Sequence, residues 1–481
     1  QILTVPWLPI AGNVTIDGGN VNVRVVSGNV TVQQGTTPWA VTGNVNVSNL
    51  TSNVTISNLG NSTIQTSLAD GAQLGPFSRL RVSAVNNIND YNTLYGVAGN
   101  IVDWNTVAGG SGTRVFNANA STNGLSVTTG SGDYVIYQTK EYHSYTPGCG
   151  QLILATGVLA ATKPNLTQRI GYFDDLNGIY FERATDGANN TVNSWNIRNN
   201  NSNLPVLAQT ASQGSWNIDN MNGSGPSGIN LDWTKVQIFV IDFQWLGAGR
   251  VRCGFDLDGV IYYAHEFLNA NNITSTYMSQ PSLPVRYEIR NTGTTANASV
   301  MTAICSAVQT EGGTTKNAYG HSATNGATGV TCGTTLNGVF AIRLKNRLGP
   351  GNKPNRTVAQ LQDFTLFGSQ AAFYTIVRMS NSTCIAGSPT WTSDDPTSYV
   401  EYTTNFTPQN LSGNSIAISN GFISTAQGSA VGSTTALVAN KYARAVQNYD
   451  SSDSEIIAII GQRIGNQDSV IYAAMNWLEI K

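Results

Sequence analysis

Arg252-Cys-Gly-Phe-Asp-Leu257 and Val260-Ile-Tyr-Tyr-Ala-His265 are two short strand-like runs, and only Asp258-Gly259 separates them. This arrangement predicts a β-hairpin, because both central residues of a type I′ turn need a positive φ, which Asp and Gly tolerate. It is the strongest hairpin signal in the chain. We therefore expect the neighbouring segments to form antiparallel strands as well.

Further strand-like runs lie on both sides of the hairpin, and Gly, Pro, Asn and Asp separate them. They are Tyr134–Tyr137, Gln151–Val158, Arg169–Phe173, Gly178–Arg183, Val236–Phe243, Gly249–Asp256, Val285–Arg290 and Val300–Ala307. Their spacing is typical of a β-sandwich. A second β-rich block ends with Glu455–Ile460 and Ser469–Glu479, and only Ala436–Val446 has the pattern of a short helix. The predicted fold class is all-β, with jelly-roll-like β-sandwich domains.

The first 56 residues contain five near-copies of one four-residue phrase, such as Asn13-Val-Thr-Ile16. Each copy alternates polar and apolar residues, which predicts a strand with one buried face. The apolar positions are Val14, Ile16, Val21, Val23, Val30, Val32, Val45, Val47, Val54 and Ile56. Two apolar side chains per strand, at about 1.5–3 kcal/mol each, cannot offset the entropy of ordering it. We expect other polypeptides to complete this segment, either identical copies in a homotrimer or a larger assembly.

These patterns divide the chain into five segments. Residues 1–66 form the N-terminal β-repeat segment for anchoring or trimerisation, and 67–129 an extended adaptor. Residues 130–309 form a β-sandwich, and 310–337 a linker rich in Gly and Thr. Residues 338–481 form a second β-rich domain or the completing half of the sandwich.

The composition excludes several classes of protein. Charged residues make up 11% of the chain and the net charge is −2, so nothing favours nucleic acid or an anionic membrane as partner. No apolar stretch is long enough for a membrane span, and we expect no signal peptide. Five scattered cysteines without metal-ligand spacing predict free thiols and folding in a reducing cytoplasm.

Two parts of the sequence resemble a known class of protein. The segment Arg169-Ile-Gly-Tyr-Phe-Asp-Asp-Leu-Asn-Gly-Ile-Tyr-Phe181 is similar to segments of virion structural proteins of tailed bacteriophages and other marine viruses. The segment Gly249-Arg-Val-Arg-Cys-Gly-Phe-Asp-Leu-Asp-Gly259 and the segment Leu283-Pro-Val-Arg-Tyr-Glu-Ile289 share this similarity. The phrase Val26-Ser-Gly-Asn-Val-Thr-Val-Gln-Gln-Gly-Thr-Thr-Pro-Trp39 resembles repeats of phage fibre and decoration proteins. The resemblance implies a particle component, often trimeric.

No residue pattern predicts an active site, a cofactor site or a metal site. The carboxylates that a glycoside hydrolase would need are Asp174, Asp175, Glu182, Asp242 and Glu266, of which Asp242 interrupts an apolar strand. We expect each to be a structural or surface carboxylate, and His143, His265 and His321 to be structural. The loop Asp450–Glu455 offers oxygens to a calcium ion but lacks the spacing of an EF-hand, so a solvated loop is expected.

Two further interpretations stay open beside the leading one. The leading hypothesis is a non-enzymatic viral structural protein, either a capsid-decorating or cement protein or a head or tail fibre subunit. It would assemble in the host cytoplasm with itself and with other virion proteins, such as major capsid, portal or tail proteins. The alternative is a receptor-binding fibre protein that contacts a host glycan through Trp195, Trp216, Trp233 and Trp245. A polysaccharide depolymerase is the third hypothesis.

Overall fold

The computed structural model describes residues 74–76, 80–81, 85–94, 104–200, 206–312, 318–349, 352–423, 429–432 and 443–480. The regular elements of this part are strands, apart from two 3-10 turns at Gln213–Ser215 and Ser382–Cys384. The all-β prediction is therefore confirmed. The repeat segment 1–66, with the ten apolar positions predicted for assembly, lies outside the described residues.

The first β-sandwich is built from two antiparallel sheets. Its strands are β1 (Val85–Tyr91), β2 (Trp104–Gly109), β3 (Thr113–Asn117), β4 (Thr122–Val127), β5 (Tyr134–Thr139), β6 (Gln151–Val158), β7 (Leu166–Phe173), β8 (Gly178–Thr185), β9 (Thr191–Asn199), β10 (Val206–Ser212), β11 (Gln237–Phe243), β12 (Val251–Leu257), β13 (Val260–Phe267), β14 (Val285–Asn291) and β15 (Ser299–Glu311). Sheet A has the order β13-β12-β11-β6-β15-β4-β3, with β1 also paired to β15. Sheet B has the order β10-β9-β8-β7-β14-β5-β2.

The hairpin predicted from Asp258-Gly259 is present as β12 and β13. Leu257 pairs with Val260 across a turn in which Asp258 has φ 56° and Gly259 has φ 84°. Both turn residues therefore have the positive φ that a type I′ turn requires. The turn also keeps Asp256 close to Gly259, whose amide donates to the Asp256 side chain.

Aromatic side chains from both sheets form the core of the first sandwich. Phe181 and Trp195 of sheet B pack against Phe239 and Phe255 of sheet A, with ring centroids 5.2–6.5 Å apart. All four side chains are at most 1% exposed. Burying aromatic side chains stabilises the two facing sheets through area burial and ring-to-ring contacts.

The second β-sandwich follows in the chain. Its strands are β16 (Ala318–Thr324), β17 (Val330–Cys332), β18 (Asn337–Leu344), β19 (Arg347–Leu348), β20 (Lys353–Pro354), β21 (Val358–Gly368), β22 (Ala372–Met379), β23 (Val400–Phe406), β24 (Ser415–Ile423), β25 (Ser429–Gly432), β26 (Arg444–Ala445), β27 (Ile456–Arg463) and β28 (Ser469–Ile480). Sheet C has the order β16-β28-β21-β25, with β17 and β26 attached, and sheet D the order β23-β18-β27-β22-β24. Their apolar faces enclose a second core.

Three local expectations need correction. The predicted linker 310–337 contains β16 and β17, which pair with β28, and the last two residues of β15. The adaptor 67–129 was expected to hold a few strands, but the strands of its described part, β1 to β4, belong to the two sheets of the first sandwich. The described end of the predicted helix Ala436–Val446 is extended, because β26 pairs with β21. In each case cross-strand pairing with a distant segment decides the structure.

Buried ion pairs join the two sandwiches, which belong to one compact unit, Ala69–Lys481. Lys140, which follows β5, donates to Glu455 at 2.8 Å, and Arg378 of β22 donates to the same carboxylate at 2.6 Å. The three side chains are at most 6% exposed. A carboxylate of the second sandwich therefore neutralises a lysine of the first.

Candidate functional site

The outer face of sheet B carries charged side chains because successive residues of a strand point to opposite faces. In β14, Val285, Tyr287 and Ile289 belong to the core, whereas Arg286 and Glu288 alternate with them. The neighbouring strands β7 and β8 follow the same alternation. Sheet B is therefore apolar on its inner face and strongly charged on its outer face.

The strand register places opposite charges side by side on this outer face. Glu288 of β14 lies opposite Arg169 of β7, and Arg169 lies opposite Glu182 of β8. Arg169 donates to Glu182 at 2.6 Å and to Glu288 at 2.8 Å. Directly opposed side chains of unlike charge stabilise adjacent strands, and here they form a charged row across three strands.

A cleft of about 640 Å³ opens over this row. Its lining residues combine aromatic rings with charged groups, and they are Tyr134, Ile136, Arg169, Asp175, Tyr180, Glu182, Arg198, Glu288, Arg290 and Tyr449. Nine of them come from the first sandwich, and Tyr449 comes from the second. Partly exposed tyrosines next to fixed polar groups are typical of sites for polar ligands with apolar faces.

Two carboxylates of the cleft, Glu288 and Asp175, have lowered pKa values. Burial alone would raise the pKa of Glu288, but Arg169, Arg286 and Arg290 outweigh this effect, so the pKa is lowered. The pKa of Asp175 is lowered in the same way, mainly by Arg286, whose Nη1 lies 2.6 Å from Oδ1 of Asp175. Both groups are therefore acceptors of hydrogen bonds rather than donors of a proton.

Arg198 differs from the other arginines of the cleft. Its Nη1 donates to the backbone oxygen of Asp174 at 2.9 Å, and its Nη2 lies 3.4 Å from the hydroxyl of Tyr180. Its guanidinium also lies 5.1 Å from the centre of the Tyr180 ring. Among the described residues no carboxylate forms an ion pair with Arg198, so its charge is not neutralised by direct contact. The cleft therefore contains a partly exposed cation that is fixed in position.

The four tryptophans named for the alternative of glycan contact do not line this cleft, and for the buried Trp195 and Trp216 that interpretation is wrong. Trp195 and Trp216 are buried at 0% and 5% exposure. Trp233 packs against Phe181, and Trp245 donates its indole N–H to the backbone oxygen of Met278. All four pack in or against the core of the first sandwich, because a large apolar ring gains most free energy between the two sheets.

The candidate carboxylates separate into different environments. Asp175 and Glu182 reach the cleft, whereas Asp174 faces Arg356 of the second sandwich at 3.4 Å. Asp242 and Glu266 belong to sheet A and stand on either side of Arg252 in the strand register.

Asp242 is a buried structural carboxylate, as the sequence indicated. It is 0% exposed and accepts hydrogen bonds from Arg252 and Tyr263, both at 2.6 Å, and from Arg81 at 2.5 Å. All three donors reach Oδ2, whereas Oδ1 is buried without a hydrogen-bond partner among the described residues. The three contacts hold the carboxylate in a buried ion-pair group.

The loop Asp450–Glu455 does not gather its carboxylates around one point. Asp450 accepts from Ser452 of its own loop, Asp453 accepts from Ser382, and Glu455 is buried between Lys140 and Arg378. Because these carboxylates have different partners, the calcium interpretation of this loop is not supported. The expectation of a solvated loop is wrong for Glu455.

One sequence pattern indicates the charged outer face of sheet B. The run Val285-Arg-Tyr-Glu-Ile-Arg290 alternates apolar and charged residues without exception. Such a run predicts one buried face and one charged face.

No family model and no curated protein matches the sequence. Among solved structures, the carbohydrate recognition domain of Emp46p in its potassium-bound form has a TM-score of 0.30 at 8% identity and covers 47% of this chain and 98% of that chain. The legume lectin-like domain from Entamoeba histolytica has a TM-score of 0.28 at 11% identity, with 47% and 98% covered. The Bacillus licheniformis β-glucanase has a TM-score of 0.28 at 10% identity, with 47% and 99% covered. At these values the similarities carry no argument about function.

In the part of the chain that the structure describes, no helix is long and apolar enough to cross a membrane.

Proposed function

We propose that the first sandwich is a recognition domain that binds an acidic oligosaccharide in the cleft of sheet B. The observation that carries this proposal is Arg198, a positioned guanidinium without a carboxylate partner among the described residues. Arg198 lies near Asp175 and Glu288, and its charge contributes to lowering the pKa of both, but neither carboxylate contacts it directly. A carboxylate or sulfate of a sugar would form that direct ion pair. Bidentate contacts between Arg and such groups are strong and directional.

The remaining lining residues suit a sugar ring. Tyr134 and Tyr449 are half-buried and offer apolar ring faces at the wall of the cleft. Asp175 and Glu182 are fixed acceptors for hydroxyl groups. Stacking on an aromatic face combined with hydrogen bonds to fixed charged groups is a general way to bind a polar ring.

The same geometry favours binding over hydrolysis. A glycoside hydrolase needs one carboxyl group that keeps its proton near neutral pH, which requires a raised pKa. Asp175 and Glu288 have lowered pKa values because arginines surround them. We therefore propose a non-enzymatic recognition protein rather than a depolymerase.

A glycan array with the full chain tests this function. We expect binding to uronic, sialic or sulfated sugars and none to matched neutral sugars. Arg198→Gln removes a charge-assisted contact of about 1.5–3 kcal/mol, which weakens binding about ten- to hundredfold.

The matched control is Arg347→Gln, since Arg347 is exposed and donates to the backbone oxygen of Asn352 in the second sandwich. This variant should bind like the wild type. Equal binding of acidic and neutral sugars, or an Arg198→Gln variant with unchanged affinity, would refute the proposal.

A second proposed role is that of a viral structural subunit, and the N-terminal repeats support it. The strands predicted for them are too poor in apolar side chains to be stable alone, so they would pair with identical copies or with other virion proteins. Together the two roles describe a receptor-binding fibre or decoration protein of a virion. Deleting residues 1–56 should convert a trimer into a monomer, as measured by light scattering. A truncated chain that remains trimeric would contradict the assembly role and leave the glycan proposal untouched.

A further inference from the structure

In the second sandwich, His321 faces two consecutive aspartates. Its Nδ1 lies 3.2 Å from Oδ2 of Asp395 and 3.7 Å from Oδ2 of Asp394. One ligand atom from each residue lies within 4.8 Å of the other two. His321 belongs to β16, and the aspartates belong to the loop before β23, so strand pairing in sheet C and the course of this loop bring them together.

These separations fit ligands around one cation. Ligand atoms about 2.0–2.2 Å from an ion lie about 3 Å apart at right angles and about 3.4 Å apart at a tetrahedral angle. A charge-assisted hydrogen bond would be shorter, at about 2.7–2.9 Å. No hydrogen bond joins His321 to either aspartate among the described contacts.

A buried carboxylate lies beside the second nitrogen of the imidazole. Glu479 is 1% exposed, and its Oε2 lies 3.6 Å from Nε2 of His321. Glu479 is itself fixed by hydrogen bonds from Ser398, Tyr399 and Trp477, at 2.6, 2.8 and 3.2 Å. The Trp477 ring is also stacked on the imidazole at an interplanar angle of 19°. Metal-binding histidines usually donate their second ring N–H to a carboxylate. Glu479 lies beside that nitrogen without a hydrogen bond to it, and it is independent of the two aspartates.

Asp395 is held so that one of its oxygens stays available. Its Oδ1 accepts from the amides of Thr397 and Ser398, at 2.6 and 3.0 Å. Its Oδ2 is the atom directed towards His321. Both aspartates are partly exposed and line a pocket of about 430 Å³, so a hydrated ion can reach them.

We propose that His321, Asp394 and Asp395 bind a divalent transition-metal ion, with water completing its coordination. The imidazole ligand distinguishes this site from the all-oxygen sites that calcium and magnesium prefer. Zn²⁺ fits one nitrogen and two carboxylate ligands at these separations. The ion links β16, an edge strand of sheet C, to the loop before β23. This site lies outside the cleft of sheet B and does not depend on the glycan proposal.

Calorimetric titration of the tag-free full chain with Zn²⁺ tests the site, with Ca²⁺ as the comparison ion. We expect one Zn²⁺ per chain, a higher melting temperature with Zn²⁺, and neither effect with Ca²⁺. The variants Asp394→Asn and Asp395→Asn should each weaken Zn²⁺ binding at least about tenfold. Both side chains are partly exposed, and the oxygen of asparagine can still accept hydrogen bonds, so we expect both variants to fold.

Asp450→Asn is the matched control, because Asp450 is an exposed loop aspartate that bonds only to Ser452 in the described structure. It should bind Zn²⁺ like the wild type. Co²⁺ absorption separates the site from the cysteines, since nitrogen and oxygen ligands produce no thiolate charge-transfer band. Zn²⁺ binding that is absent, that persists in both aspartate variants, or that shows a thiolate band with Co²⁺ would overturn the proposal.

Discussion

Replacing Glu455 with glutamine should destabilise the chain strongly, because two buried cations lose the carboxylate with which both pair in the described part of the chain. Lys140 and Arg378 both donate to Glu455, at 2.8 and 2.6 Å, and both side chains are at most 6% exposed. The Glu455 carboxylate also accepts from the backbone amide of Val446 at 3.2 Å. The substitution therefore affects the contact between the two sandwiches and the packing of the second one.

The magnitude follows from burial. Removing one partner of a buried ion pair costs about 3–5 kcal/mol, because an uncompensated charge stays in the interior. Glutamine keeps one oxygen that can accept from a single cation, so we expect the lower end of this range. A loss of about 3 kcal/mol corresponds to a change of about a hundredfold in the unfolding equilibrium.

Denaturant unfolding monitored by tryptophan fluorescence measures this effect, with Glu401→Gln as the matched control. Glu401 pairs with Arg343 at 2.7 Å, but both side chains are about one-fifth exposed. A solvated pair of this kind contributes at most about 1 kcal/mol. If Glu455→Gln lowers stability no more than Glu401→Gln, the argument from burial is refuted.

Two further predictions concern sheet A. Asp242→Asn should lower the unfolding free energy by about 3 kcal/mol, because Arg252 and Arg81 would lose their buried counter-ion; an unchanged denaturation midpoint would contradict this. For His265, burial lowers the pKa from 6.5 to about 4. The folded chain thus keeps this imidazole neutral, and the resulting stability is present above pH 6.5 and lost as the pH falls towards 4. His265→Gln should flatten the melting temperature over this pH window, and equal slopes in both proteins would argue against the assignment.

Sequence patterns predicted those strands that contain a local run of apolar residues. The run Gln151–Val158 was predicted with the bounds that β6 has, because its apolar residues are local and continuous. The strand β16 was missed because its residues, Ala318–Thr324, are mostly small and polar. It is an edge strand that pairs with β28. The local sequence does not indicate a partner that is so distant along the chain.

The candidate sites were harder to predict because they depend on register between distant strands. Arg169 and Glu288 are 119 residues apart in sequence, yet they are direct neighbours in sheet B. His321 is likewise distant in sequence from its two aspartate neighbours, which lie in the loop before β23. Tryptophan content alone does not separate a sugar platform from a core residue, and the structure places Trp195 in the core.

Asp242 and the cleft lie on opposite faces of the first sandwich. Its neighbours Ile241 and Phe243 belong to the core, so Asp242 points to the outer face of sheet A, where it binds Arg81. The cleft lies on the outer face of sheet B, on the opposite side of the same sandwich. Arg81 is thus bound on one face of the first sandwich, and the proposed ligand binds on the other face. If this separation is functional, Asp242→Asn should leave glycan affinity unchanged and Arg198→Gln should leave the oligomeric state unchanged; a glycan affinity that falls with Asp242→Asn in a folded protein would show that the two faces are coupled.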